Sequence, residues 1–266
     1  MKAWTIANQK GGVGKTTSVI SLGALLAMQG RRTLMIDLDP HGSMTSYFGL
    51  DPDNIEASVY TLFQRTVGTS RMPLASMLVH TGVENLQLLP SSTALVSLDK
   101  QFGTREGMGL VIGKALCDWG GKFDYVLIDC PPVLGILMVN ALASCDQLII
   151  PVQTEFLAIK GLERLQHTLA MISRSRKTAL DYTIVPTMFD RRTRAAIESL
   201  RTLRETYPGQ IWSGVIPVDT KFREASSRGK PLPVMRPSCR GSRAYDRLLD
   251  YLLARHQPQG DLRMVG

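Results

Sequence analysis

The stretch Lys10-Gly11-Gly12-Val13-Gly14-Lys15-Thr16-Thr17 constrains this chain more than any other. A short apolar run, Ala3-Trp4-Thr5-Ile6-Ala7, precedes it and reads as a strand. Behind it a helical pattern runs through Leu22, Leu25 and Leu26 to Gly30. Strand, glycine-rich turn and helix in that order make a phosphate cradle. Glycines let backbone N–H groups close on phosphate oxygens, and the helix start adds the positive end of its dipole. In such a cradle Lys15 reaches the β- and γ-phosphates, and the Thr16 hydroxyl binds Mg²⁺. The spacing departs from the usual G-x-x-x-x-G-K-[ST]. Gln9 stands where the first glycine belongs, and a second lysine, Lys10, heads the loop.

Further apolar runs alternate with helical patterns to the end of the chain. Thr33-Leu34-Met35-Ile36-Asp37, Leu86-Gln87-Leu88-Leu89-Pro90, Phe123-Asp124-Tyr125-Val126-Leu127-Ile128-Asp129 and Leu148-Ile149-Ile150-Pro151-Val152 read as buried strands. Thr183-Ile184-Val185-Pro186-Thr187-Met188 follows, and Ile211-Trp212-Ser213-Gly214-Val215-Ile216-Pro217 reads as the last strand. Residues 51–82 read as a variable helical excursion, residues 221–243 as a basic loop, and residues 242–255 as a closing helix. The alternation predicts one doubly wound, mostly parallel α/β sheet with helices on both faces. Two strands end in acids beside the phosphate loop: Asp37-Leu38-Asp39-Pro40 and Asp129-Cys130-Pro131-Pro132. Carboxylates at the C-terminal ends of parallel strands are placed to work on Mg²⁺ and water. His41, just beyond, reads as a surface turn residue.

With 266 residues the chain buries a large core without covalent staples. Cys117, Cys130, Cys145 and Cys239 form no C-x-x-C pair and read as reduced thiols. The first residues form a strand pattern, which predicts no signal peptide. No apolar run approaches the ~20 residues that cross a bilayer, so no stable membrane insertion is expected. The net charge of +8 is unevenly placed. Residues 174–243 hold 15 Lys and Arg against 6 Asp and Glu, a local +9, and the rest of the chain sums to −1. Such asymmetry points to a polyanionic partner.

The loop Lys10-Gly-Gly-x-Gly-Lys-Thr-Thr resembles the deviant Walker A motif of the ParA/MinD family of ATPases. The resemblance covers nearly the whole chain and is weakest at residues 51–82. It implies residues 1–255 as one ATPase unit, with a polar tail at 256–266. It implies ATP and Mg²⁺ as cofactors, with nucleotide held by Lys10, Gly11, Gly12, Val13, Gly14, Lys15, Thr16 and Thr17. Lys10 would cross a dimer interface to the other subunit's nucleotide. Lys10, Lys15 and Asp39 are the expected catalytic residues, Asp39 positioning the attacking water; Thr16, Asp39 and Asp129 are the expected metal residues. Adenine would sit between Met188 and Pro217-Val218-Asp219, where relatives often read P-R-N after the isoleucine. Glu224-Ala-Ser-Ser-Arg-Gly-Lys-Pro231 resembles the family's E-A-P-S-x-G-K-P pattern. Arg191, Arg192, Arg194, Lys221, Arg223, Arg228 and Lys230 would bind DNA without reading sequence.

The resemblance further implies an ATP-bound homodimer, a cytoplasmic and nucleoid-associated protein, and an adaptor or stimulating protein on a cargo. That cargo is a plasmid or chromosome locus, or a chemotaxis protein array, since the stretch from Asp37 to Ser43 looks like array-linked members. A MinD-like regulator of division or flagellar placement is the alternative. A third class is a metabolic enzyme on the same scaffold, a nitrogenase-iron-protein relative or dethiobiotin synthetase; Cys130 is its candidate cluster ligand.

Overall fold

The computed structural model describes residues 1–103, 105–173 and 180–255. Among them, seven strands share one sheet: β1 (Lys2–Ile6), β2 (Thr33–Asp37), β3 (Val79–His80), β4 (Leu86–Leu89), β5 (Tyr125–Asp129), β6 (Gln147–Gln153) and β7 (Asp181–Thr187). Their order is β3-β4-β2-β5-β1-β6-β7. Every neighbouring pair is parallel except β3 with β4. The helices are α1 (Lys15–Met28), α2 (Ser43–Tyr47), α3 (Val59–Thr66), α4 (Leu98–Phe102), α5 (Val111–Asp118) and α6 (Ile136–Ser144). After them come α7 (Phe156–Ser173), α8 (Arg194–Thr206), α9 (Lys221–Ser227), α10 (Leu232–Met235) and α11 (Arg240–Arg255).

Strand side chains alternate between two cores, one on each face, which is why the strands are apolar throughout. Leu34, Ile36, Val126, Ile128 and Ile150 meet Phe63 of α3, Ile112 of α5 and Leu142 of α6. Trp4, Ile6, Met35, Leu127 and Ile149 meet Leu22 and Leu26 of α1 and Leu248 and Leu252 of α11. Helix α1 lies between the sheet and α11, so 11 of its 14 residues are buried. No helix among the described residues is long and apolar enough to cross a membrane.

Three expectations need correction. Residues 211–217 form no strand. Trp212 N donates to Ile184 O at 2.9 Å and Ile216 N to Pro186 O at 2.8 Å, but only isolated bridges result. The segment bends at Ser213-Gly214, and Pro217 has no N–H to extend a ladder. Residues 221–243 are mostly helical. Ala225, Leu232 and Cys239 bury together, and Glu224 pairs with Arg228 at 2.9 Å and Arg236 at 3.6 Å. Residues 51–82 hold α3 as expected, but also β3, an antiparallel edge strand. The polar tail 256–266 lies outside the described residues.

Candidate nucleotide site

Strand register builds the floor of the site. Asp129 ends β5 level with Ile6 of β1 on one side and with Asp37 of β2 on the other. The loop leaving β1 therefore rises directly above both acids. Gly12 and Gly14 adopt left-handed φ of 73° and 93°, which side-chain-bearing residues rarely take. This turns the loop tightly into α1, whose N-cap is Gly14. The loop is tied down on three sides. Asn8 Nδ2 donates to Pro151 O at 2.7 Å, and Asn8 Oδ1 accepts from Lys10 N at 3.0 Å. Thr187 Oγ1, at the end of β7, donates to Val13 O at 2.9 Å. Ser18 Oγ donates to Gly14 O at 2.8 Å and meets the Tyr245 hydroxyl of α11 at 2.9 Å.

Lys15 is buried, its Nζ donating to Lys10 O at 3.3 Å. Thr16 Oγ1 donates to Asp129 Oδ2 at 2.6 Å. The other Asp129 oxygen, Oδ1, is buried and has no hydrogen-bond partner among the described residues. Burial, with the charge of Asp37 added, pushes the Asp129 carboxyl well above the usual carboxylate range; the Thr16 bond and Lys15 only partly oppose this. An orphaned carboxylate oxygen beside a threonine hydroxyl fits a hydrated Mg²⁺, which takes few protein ligands and keeps waters and phosphate oxygens. Among the described residues no three His, Cys, Asp or Glu cluster to hold a metal outright. Cys130 is fully buried, and burial pushes its thiol well above its usual value.

Asp37 is also fully buried. Its Oδ2 accepts from Thr45 N at 2.9 Å and Thr45 Oγ1 at 2.7 Å, and its Oδ1 from Asp39 N at 3.2 Å. Burial nevertheless pushes it up to about 6. Asp39 sits in the following turn with a side chain 15% exposed. His41 is exposed, as its position in a turn suggested, yet its ring Nδ1 lies 2.9 Å from Asp39 Oδ1.

Two clefts flank the loop. The first, about 510 Å³, is lined by Gly11, Gly12, Gly14, Lys15, Thr16, Thr17, Asp39 and His41. The second, about 750 Å³, is lined by Val13, Thr187, Met188, Pro217, Val218, Asp219 and Phe222. Gly14, Thr17, Met188, Phe222 and Ser226 line both, so the clefts are continuous. Met188 holds a left-handed φ of 52°, a strained conformation at a junction of cavities. Asp219 lies at the second cleft, but Lys221 N and Gly241 N occupy its two oxygens at 3.0 and 3.1 Å. It joins the starts of α9 and α11 while lining the cleft.

The model of the "AAA domain" family matches residues 1–182. The "Chromosome-partitioning ATPase Soj" of Treponema pallidum is 36% identical over 96% of this chain and 98% of its own. The "Sporulation initiation inhibitor protein Soj" of Bacillus subtilis is 34% identical over 92% of this chain and 95% of its own. The chain belongs to the ParA/Soj family of ATPases. A structure described as cobyrinic acid a,c-diamide synthase of Mycobacterium smegmatis, with bound ADP and magnesium, superposes with TM-score 0.82 at 32% identity. That match covers 96% of this chain and 94% of the other.

The ParA-type second lysine, Lys10, forms an ion pair with Glu155 of its own chain, just before α7. Of the cations expected at DNA, all seven are exposed. Arg192 pairs with Asp190 at 2.7 Å, Arg194 with Glu198 at 2.7 Å and Arg228 with Glu224. Arg191, Lys221, Arg223 and Lys230 make no ion pair among the described residues. Arg240 and Arg243, counted in the basic stretch but not singled out, and Arg247, beyond it, are also exposed on α11 and make no ion pair among the described residues. Their helical spacing was the available signal. The two groups converge, because Val218 N donates to Phe189 O, Gly241 N to Asp219, and the Phe222 and Tyr245 rings meet edge-on at 5.8 Å. Arg174, Arg176 and Lys177 lie outside the described residues.

Proposed function

We propose that this protein is a positioning ATPase: it binds ATP with Mg²⁺, dimerises in that state, and holds to DNA without reading sequence while it places a cargo. The observation that carries the reading is shared structure between the clefts and the cationic face. Helix α9 lines both clefts through Phe222 and Ser226 and exposes Lys221 and Arg223 to solvent. Lys15 and the loop amides would hold the phosphates. Thr16 and Asp129 would hold Mg²⁺, which when bound neutralises charge developing on the transferred phosphoryl group. Asp39 would orient the attacking water, and Lys10 would leave Glu155 to serve the nucleotide of a second subunit. Phosphoryl transfer needs little beyond such charge neutralisation and alignment. The second cleft would take the base through Met188, Pro217 and Val218. The protein would work on the nucleoid in the cytoplasm, answering to an adaptor on the cargo.

The M. smegmatis structure's name supports a second reading, an ATP-dependent synthase that makes amides from an acid. One experiment separates the two. Full-length protein with Mg²⁺ and ATP, ADP or no nucleotide is passed over immobilised duplexes of two unrelated sequences at low salt. Retention of both duplexes only with ATP is expected. No retention in any nucleotide state would overturn the DNA-tethered reading and leave the synthase and the MinD-like regulator standing.

A further inference from the structure

We propose that Thr45 and Ser91 are positioning residues for Asp39, acting through a buried relay of hydrogen bonds. The inference rests on the reading of Asp39 as the group that orients water. The Asp39 turn is held by its backbone at both ends. Its N–H donates to Asp37 Oδ1 at 3.2 Å. Its carbonyl accepts from Ser91 Oγ at 2.6 Å and from Gly42 N at 2.8 Å. Behind this turn, Ser91 N donates to Thr45 Oγ1 at 2.8 Å, and Thr45 Oγ1 donates to Asp37 Oδ2 at 2.7 Å. The bonds form a closed ring: Asp37, Thr45, Ser91, Asp39 and back to Asp37.

A hydroxyl has one proton to give. Thr45 spends its proton on Asp37 and so must accept from Ser91 N. Among the described residues, Ser91 in turn has only the Asp39 carbonyl as acceptor for its own hydroxyl proton. The ring therefore closes in one arrangement. Asp37, Thr45 and Ser91 are all fully buried, so water does not compete for the bonds among these three. Two strand ends are clamped together this way, since Ser91 follows β4 and Asp39 follows β2. At the carboxylate, Oδ1 accepts from His41 N at 3.0 Å as well as facing the His41 ring, while Oδ2 accepts nothing from the described residues. One oxygen is fixed and the other is left for water. A displacement of about 1 Å in such a group costs up to ~100-fold in rate while substrate binding elsewhere persists.

The test is single-turnover ATP hydrolysis and ATP affinity, measured on full-length Ser91→Ala, Thr45→Val, Thr45→Ser and Asp39→Ala proteins. Ser91→Ala and Thr45→Val are expected to slow hydrolysis about 10- to 100-fold with ATP affinity within about twofold of wild type. Thr45→Ser keeps the hydroxyl and is expected to restore most of the rate; Asp39→Ala is expected to be inert. Wild-type rates in Ser91→Ala and Thr45→Val beside an inert Asp39→Ala would overturn the relay and leave the role of Asp39 standing. A normal rate in Asp39→Ala would instead overturn the role of Asp39 itself. Rate and affinity falling together would make the relay merely structural, which also overturns the proposal. If Thr45→Val does not fold, Ser91→Ala decides, because it leaves the Thr45–Asp37 pair intact.

Discussion

Gly42 shows how one residue limits the site. Its φ is 59°, and a Cβ there would lie 2.7 Å from Pro52 Cβ. Gly42→Ala therefore adds both backbone strain and a clash in the turn that carries Asp39. It should cost about 1–3 kcal/mol and lower the melting temperature by roughly 2–10 °C, measured by calorimetry without nucleotide. Lys15→Ala acts on binding instead. Lys15 is a buried cation at the phosphate cradle, so its loss should abolish ATP binding in isothermal titration; unchanged affinity would remove it from that role. Residues of this kind were legible in the sequence, because a glycine-rich loop between strand and helix admits few structures. Asn8, Ser18, Thr187 and Tyr245 were not. Each acts through a partner far away in the chain, Ser18 and Tyr245 being 227 residues apart, and no local pattern announces such a pair.

At the scale of elements, α11 bears on the phosphate loop through one hydroxyl. Tyr245 is fully buried against α1, and burial pushes its phenol above its usual range, so it stays protonated and can donate. Tyr245→Phe removes a bond worth about 1 kcal/mol and should weaken ATP binding about fivefold. The hydrolysis rate at saturating ATP should hold, a split that separates loop positioning from chemistry. The strands from β1 to β7 were readable as apolar runs, apart from two-residue β3, which is too short to show a period. The run at 211–217 misled for a physical reason. Apolar composition reports burial, and Trp212 and Ile216 are indeed buried, but pairing also needs unbent backbone with N–H groups to offer. The opposite error fell on residues 221–243. Their Pro, Ser and Gly content suggests a loop, yet Ala225 and Leu232 find a small core that holds two short helices.

The whole molecule places the two clefts and the exposed cations on connected elements, and its assembly tests that connection. On the proposed reading, in which Lys15 serves the chain's own nucleotide and Lys10 leaves Glu155 for a second subunit, Lys10→Ala should bind ATP yet remain monomeric in light scattering. An ATP-indifferent wild-type equilibrium would count against that role. The cationic face makes a sharper prediction, because the structure ranks its members. Charge counting over residues 174–243 treats all arginines alike. In the fold, Arg194 is matched by Glu198, whereas Arg223 and Arg243 make no ion pair among the described residues. Contacts to DNA release counterions, with a log–log salt slope of about −0.9 per phosphate. Arg223→Ala and Arg243→Ala should each lower the slope of ATP-dependent binding by about one unit, equally on two unrelated duplexes. Arg194→Ala should lower it less, since Arg194 is already held by Glu198 and is less free to replace a counterion on a phosphate. Filter binding across a salt series, in an Asp39→Ala background that retains ATP, measures all three. Equal slopes for Arg194→Ala and Arg223→Ala would mean that the surface ion pair opens on DNA. Unchanged slopes for both Arg223→Ala and Arg243→Ala would move the DNA contact off this face altogether.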